Sequence, residues 1–418
     1  MHIYAASYLY PVSGQPVPGG AIAVENGRIV ALGTRDDLCA AWGGTVTDFP
    51  GRVIMPGLVN AHTHLELTHF PAWKLRKGID YSPRTYVDWI IQVIKIRRAL
   101  TRDELAHSVR EGIRKSLESG TTSAGEILTD RNLLPHYHDA PLGGRLYAEA
   151  IGHDPARCEQ LLSEMAGHGA AVRREGLFPG ISPHAPHTLS SRFLADLAAA
   201  ARHGGMPLMI HLAESKDEVD FFHDTSGKIA ELLYPFTGWE AYLPPPRHTT
   251  PVAYLDSLGL FGRDTAVVHC VHVTPADAEI LGRRGVTAIL CPRSNDRLAV
   301  GQAPVRLLKK AGIPLALGTD SLASNDSLSL WDELRFLRRQ FPGEFTPVEL
   351  IELVTIGAAR ALALDHEVGS LEQGKRADFL VIGIEGPASL PDIPDAVVEQ
   401  GEVMDVFVGG RPIGQEAP

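Results

Sequence analysis

Residues 56–66 read PGLVNAHTHLE, and the fold follows from what this stretch can be. An apolar run from Gly57 leads into His62 and His64, two positions apart at the run's end. On a β-strand, side chains at i and i+2 point the same way, so both imidazoles face one side. Two neutral imidazoles placed like this can share one metal ion. Alone the pair is a weak signal, because 18 histidines make chance pairs common. Its weight comes from what lies downstream.

Similar β-rich runs recur near 121–127, 145–151, 178–184, 207–214, 265–272, 286–292 and 313–320. Amphipathic stretches such as 190–203 and 275–284 lie between them, the latter opened by Thr274 as N-cap and Pro275 at the first helical position. This alternation predicts parallel strands joined by crossover helices. Counting 57–64, there are eight such units, which predicts an α/β fold: a (β/α)8 TIM barrel over residues 53–365. A doubly wound sheet is the rival, but no glycine-rich phosphate loop follows the first strand. The flanks, 1–52 and 366–418, carry short strand-like pieces such as AIAVENGRIVALG, with a turn signal at Asn26–Gly27. They are expected to form one small β-sandwich domain from both termini. A long insertion, 216–262, contains the Pro-rich YLPPPRHTTP and is long enough to cover the barrel mouth.

In such a barrel the chemistry sits at the C-terminal ends of the strands. The fifth predicted strand ends in MIHLAES with His211 and Glu214, the sixth in VVHCVH with His269, the eighth in LALGTDS with Asp320. With His62 and His64, these strand ends present four histidines and one aspartate to a single mouth. Imidazoles plus a carboxylate suit Zn²⁺ or Fe²⁺. Burying the whole set as core polar groups would demand a partner for each. No lysine occurs between Lys115 and Lys216, so a carbamylated-lysine bridge between two metals has no candidate there. One divalent metal ion is expected.

Composition narrows the remaining classes. Of 418 residues, 44% are hydrophobic and 21% charged, which excludes a disordered or coiled-coil chain. The 39 basic against 50 acidic residues give a net charge of −11, so nucleic acid is not expected as the partner. Four scattered cysteines without a CxxC pair read as reduced thiols of an intracellular protein. No apolar run reaches a membrane span, and the N-terminus lacks the basic start of a secretory signal, its first Lys or Arg being Arg28. The expectation is a cytoplasmic protein with a small-molecule partner and no membrane.

Together, PGLVNAHTHLE, SPHAPHT, IHLAES, VHCVH, CPRSN, LGTDSLASND and GSLEQGKRADFLVI resemble the amidohydrolase superfamily, in its group of aminated-base deaminases and related chlorohydrolases. The resemblance spans essentially the whole chain. It implies His62, His64, His211 and Asp320 as ligands of one metal ion, zinc ahead of iron(II). It further implies Glu214 as the proton-shuttling glutamate and His269 as the histidine that orients the water. Arg145 in GRLYAEA and His184 in SPHAPHT match substrate-holding positions, whereas His187 is read as structural. A homodimer is implied as well. The implied reaction is attack of metal-bound hydroxide on C6 of an aminated purine, with Asp320 taking a proton, Glu214 delivering one, and ammonia leaving. Ser321 has no separate base and is read as a hydrogen-bonding neighbour.

Relatives acting on methylthioadenosine and S-adenosylhomocysteine hold ribose with a glutamate after the first strand, where this chain has Arg97 and Arg98 in YVDWIIQVIKIRRALT. The motifs HLEL, CPRSN and SLASNDSL instead resemble the aminodeoxyfutalosine deaminases of menaquinone biosynthesis, whose substrate carries a benzoate. A carboxylate calls for a guanidinium, and Arg293, Arg297 and Arg145 are the candidates. Glu66 in HLELTHF reads equally as a salt-bridge partner at the mouth. The alternatives are deamination of methylthioadenosine, S-adenosylhomocysteine, adenosine, guanine or cytosine, chlorohydrolysis on the same site, or a non-catalytic relative using the barrel for binding.

Overall fold

The computed structural model describes residues 1–414 apart from 80–81, 173 and 386–388. Eight parallel strands form the central sheet: β1 Leu58–Thr63, β2 Thr121–Leu128, β3 Gly143–Ala150, β4 Leu177–Pro183, β5 Leu208–Leu212, β6 Thr265–His269, β7 Thr287–Leu290 and β8 Leu315–Leu317. Each pairs with its sequence neighbour, the pattern that right-handed βα crossovers produce. Burial on both faces explains their near-continuous apolar character: β2 and β3 are buried at every position. Inward-facing Val59, Ile127, Tyr147, Met209, Val268, Ile289 and Ala316 belong to one core cluster with the helix Ile356–Ala361.

The ring closes between β8 and β1. A parallel bridge joins Thr63 to Asp320, and the Asp320 N–H donates to the His62 carbonyl at 3.1 Å. Closure brings the last strand end onto the first, so Asp320 meets His62 and His64. Gly318 makes this approach possible, since a Cβ there would lie 2.8 Å from both His62 Cβ and the His62 carbonyl oxygen. Gly318→Ala is therefore expected to destabilise the barrel by about 1–3 kcal/mol, the usual cost of overpacking. It should also lower the bound-metal content of purified protein; calorimetry and metal analysis on one preparation check both.

Both termini build a separate mixed sheet. Its order runs Arg411–Pro412, Glu402–Val408, Phe379–Gly383, Thr45–Pro56, His2–Leu9, Gly20–Glu25 and Arg28–Thr34. Phe379–Gly383 pairs antiparallel with Thr45–Pro56, so the chain that leaves the barrel returns beside the strand that entered it. On one face Tyr4, Phe379 and Phe407 pack as a ring cluster, with Phe379 and Phe407 stacked at 4.3 Å. On the other, Ile3, Ala5, Ala21 and Ala23 pack against Leu38 of the helix Arg35–Trp42. The fold is the predicted barrel with a small β domain made from both ends.

Two connections matter for function. The segment after β1 contains the helix Tyr86–Arg98, capped by Thr85. The insertion after β5 folds as helices Lys216–Asp224, Ile229–Leu233, Tyr234–Thr237 and Pro251–Ser257. All four cysteines are free, as expected. No helix among the described residues is long and apolar enough to cross a membrane.

Candidate active site

A cavity of about 370 Å³ opens at the C-terminal ends of the strands. At its floor lie His64, His211, Glu214, His269 and Asp320, with His62 fully buried beneath. Ligand nitrogens of His62, His64 and His211 lie within 4.8 Å of one another. Asp320 Oδ1 sits 3.8 Å from Nε2 of both His62 and His64. Its Oδ2 accepts from the hydroxyls of Ser294 and Ser324, each at 2.7 Å, which leaves Oδ1 aimed at the imidazoles.

The donor set fits a divalent metal ion. His211 Nδ1–H donates to the His184 carbonyl at 2.8 Å, which fixes the tautomer and turns the Nε2 lone pair to the site. His62 Nδ1 contacts the Met209 sulfur at 3.2 Å, while its buried Nε2 neither accepts nor donates a hydrogen bond. A buried nitrogen with its lone pair free, facing two others and a carboxylate, is what a cation would satisfy. Burial, helped by mutual repulsion, pushes His62 well below the usual histidine range; burial likewise takes His64 down to about 3 and His211 to about 4. These three imidazoles are thus neutral near neutral pH. Burial works against ionisation of Asp320, but His64, His269, Ser324 and Ser294 hold it below its ordinary value, so it stays anionic.

Removal of metal by a chelator is accordingly expected to abolish turnover and lower Tm, with both restored on adding the ion back. The ion stabilises only the folded state, by about 2.7 kcal/mol at a hundredfold excess over Kd. A thermal melt with and without chelator reads this directly.

Glu214 lies off this ligand set. Its Oε1 is 3.6 Å from His269 Nε2, and its Oε2 accepts from the Tyr86 hydroxyl at 2.5 Å. Burial pushes its carboxyl up to about 7, against the opposing pull of His211 and Tyr86. A carboxyl near neutrality can both give and take a proton. Glu218 holds the turn, accepting from the N–H groups of Ala213 at 3.0 Å and Glu214 at 3.1 Å. His269 Nδ1–H donates to Asn295 Oδ1 at 2.9 Å, so its Nε2 faces Glu214 and the floor. Ala213, His269, Cys270 and Asp320 all have positive φ, between 51° and 75°. Non-glycine residues pay for that conformation, and here it aims the functional side chains off their strand ends.

The structure brings His62, His64, His184, His211, Glu214, His269 and Asp320 to one site. His184 lines the pocket, its Nδ1 3.1 Å from Thr188 Oγ1. His187 also lines it, with neither ring nitrogen partnered. Three predicted substrate contacts, Arg145, Arg293 and Arg297, lie elsewhere. Arg145 is near the start of β3, at the opposite end of the barrel, where its guanidinium donates to the carbonyls of Leu362, Pro179 and Ala363. Glu149, four residues on and on the same strand face, is the β3 residue that reaches the pocket. Arg293 is held by acids outside the pocket: it pairs with Asp326 and lies 3.7 Å from Glu333 and 3.9 Å from Asp332. Arg297 sits 3.6 Å from Asp326.

In the sequence only Arg97 and Arg98 of the segment Tyr86–Arg98 stand out as candidates, whereas the structure brings a whole face of that helix to the pocket. Tyr86, Trp89, Ile90, Val93, Ile94 and Arg97 line the pocket at i, i+3, i+4, i+7, i+8 and i+11. That 3.6-residue period was the signal available. Arg97 reaches back to Glu66, Nε to Oε1 at 2.9 Å, so Glu66 is a salt-bridge partner at the mouth. The insertion contributes Leu233, Thr237 and Trp239 to the pocket lining.

The sequence pattern of the amidohydrolase family matches residues 53–413, and that of an imidazolonepropionase-like composite domain of bacteria matches 20–44. The chain is 31% identical over 396 residues to a 5-methylthioadenosine/S-adenosylhomocysteine deaminase of Moorella thermoacetica, covering 92% of this chain and 86% of that one. It is 31% identical over 364 residues to an aminodeoxyfutalosine deaminase of Deinococcus radiodurans, covering 84% and 83%. An adenosine deaminase of Xanthomonas campestris, solved with bound zinc, superposes with a TM-score of 0.80 at 25% identity over 98% of this chain and 92% of that one. The aminofutalosine deaminase of Helicobacter pylori shares the fold, with a TM-score of 0.84 at 22% identity over 99% of this chain and 100% of that one.

Proposed function

The chain belongs to the amidohydrolase family and falls among its adenine-nucleoside deaminases, and from that premise we propose that it hydrolyses the 6-amino group of an adenine nucleoside bound over the histidine cluster. The observation that carries this reading is the Glu214 carboxyl. Burial pushes it up to about 7 beside the His62, His64 and His211 set, in reach of a bound ring yet outside the ligands. A binding scaffold has no use for such a group.

Each residue then has a task. Asp320, aimed by Ser294 and Ser324, takes a proton from the attacking water. His269 holds that water in line through Nε2, its own orientation set by Asn295. Glu214, aligned by Tyr86, gives a proton to the ring nitrogen beside the attacked carbon and later carries one to the departing amine. Water adds, the C–N bond breaks, and the oxo base and ammonia leave. His62, His64, His211 and Asp320 would hold the divalent ion, zinc first and iron(II) second, which when bound lowers the pKa of a coordinated water.

Within the class, aminodeoxyfutalosine is the first candidate, which would place the enzyme in menaquinone biosynthesis; methylthioadenosine and S-adenosylhomocysteine come second. Support comes from the cavity rim. Arg98 is exposed there and lies 5.5 Å above the Phe236 ring, with Lys95 at 5.7 Å from the same ring. A benzoate reaching this rim would meet the Arg98 guanidinium. Arg98→Ala is expected to raise KM for aminodeoxyfutalosine by about 10-fold or more, the worth of a hydrogen bond to a charged group. KM for methylthioadenosine should be unaltered. Steady-state ammonia release checks this, and equal effects on both substrates would remove Arg98 from the role.

A further inference from the structure

Strand β3 ends by sending Glu149 into the pocket wall, near Ile151 and His184. The residue is 6% exposed, and its Oε1 is buried without a hydrogen-bond partner. The Thr129 hydroxyl is in hydrogen-bond reach of the Glu149 and Glu66 carboxylates alike. The half-buried guanidinium of this wall, Arg97, is committed to Glu66, with Nε to Oε1 at 2.9 Å and a second contact at 3.5 Å. Glu66 thus takes the half-buried Arg97 guanidinium, and Glu149, which lines the cavity, keeps one carboxylate oxygen without a donor. A buried acceptor without a donor is costly to the free protein, so such groups call for an explanation.

Position suggests the donor. Glu149 is near enough to both His211 of the floor and Arg97 of the helix Tyr86–Arg98 to interact with each electrostatically, and all three line the same cavity. In a purine nucleoside the amino-bearing carbon and the glycosidic nitrogen lie on different rings. A base that presents the amino-bearing carbon to Glu214 and Asp320 therefore carries its sugar away from the floor and along this wall. Sugar hydroxyls are donors, and a carboxylate binds them through charge-assisted hydrogen bonds. We propose that Glu149 accepts hydrogen bonds from the sugar hydroxyls of the bound nucleoside and selects ribonucleosides over their deoxy analogues. This assignment rests on the adenine-nucleoside reading above.

The test compares kcat/KM for ammonia release from adenosine and from 2′,3′-dideoxyadenosine in the metal-loaded wild type, Glu149→Ala and Glu149→Gln. The wild type should prefer adenosine by at least about 100-fold, since a site built to hydrogen-bond a hydroxyl rejects the analogue lacking it. Glu149→Ala should lose most of that preference by slowing on adenosine alone, with the dideoxy substrate within about threefold of wild type. Glu149→Gln keeps an acceptor and should recover part of the preference. Equal losses on both substrates would make Glu149 a structural residue of the wall and overturn the proposal, as would an undiminished preference in Glu149→Ala. Absence of ammonia from both substrates with metal-loaded wild type would instead overturn the deaminase reading itself, and the assignment with it.

Discussion

Glu214→Gln is expected to lower kcat by about 10³-fold while leaving metal content and Tm close to wild type, because general acid–base transfer contributes about 10²–10⁴-fold. The amide keeps the shape of the carboxyl and can still meet the Tyr86 hydroxyl. It cannot carry a proton to a ring nitrogen or an amine. Glu218, whose carboxylate grips the Ala213 and Glu214 N–H groups, is untouched, so the turn stays in place. Single-turnover ammonia release with a metal assay on the same sample checks the result. Retention of more than about a tenth of wild-type kcat would remove Glu214 from proton transfer.

Asp320→Asn should cost at least as much, by a different route. The Ser294 and Ser324 hydroxyls that fix Oδ2 have an oxygen to bond to still, but the anion facing His62 and His64 at 3.8 Å is gone. Both proton acceptance and ligand charge are lost, so kcat should fall about 10³-fold or more, and metal should dissociate at lower chelator concentration. The double variant with Glu214→Gln should be little worse than the worse single one, since groups acting on one transition state are not additive. A chelator titration separates the two roles: unaltered metal retention with lost kcat would leave Asp320 as a base alone.

The barrel and the floor of its site were legible because two short-range rules coincide there. A strand's two-residue period puts His62 and His64 on one face, and strand ends collect the functional groups of a (β/α)8 barrel. His211, Glu214, His269 and Asp320 follow from the same logic. Distance along and between elements is what the rules do not supply. Arg145 and Glu149 share a strand face, so period alone cannot say which reaches the mouth; the observed start of β3 at Gly143 puts the arginine at the wrong end. Arg293 sits on the anticipated loop, yet Asp326, Asp332 and Glu333 fold back to claim it, a pairing only tertiary structure creates. Tyr86 carries no motif of its own, and only the packing of its helix over the mouth brings its hydroxyl to Glu214.

Ammonia release from adenine nucleosides by metal-loaded protein, compared with chelated protein and with Glu214→Gln, tests the central claim most directly. The account predicts stoichiometric ammonia and oxo product from wild type, none after chelation, recovery on adding the ion back, and a loss of about 10³-fold in the variant. Turnover that survives both chelation and loss of Glu214, or metal-loaded protein that releases no ammonia from any adenine nucleoside, would contradict it.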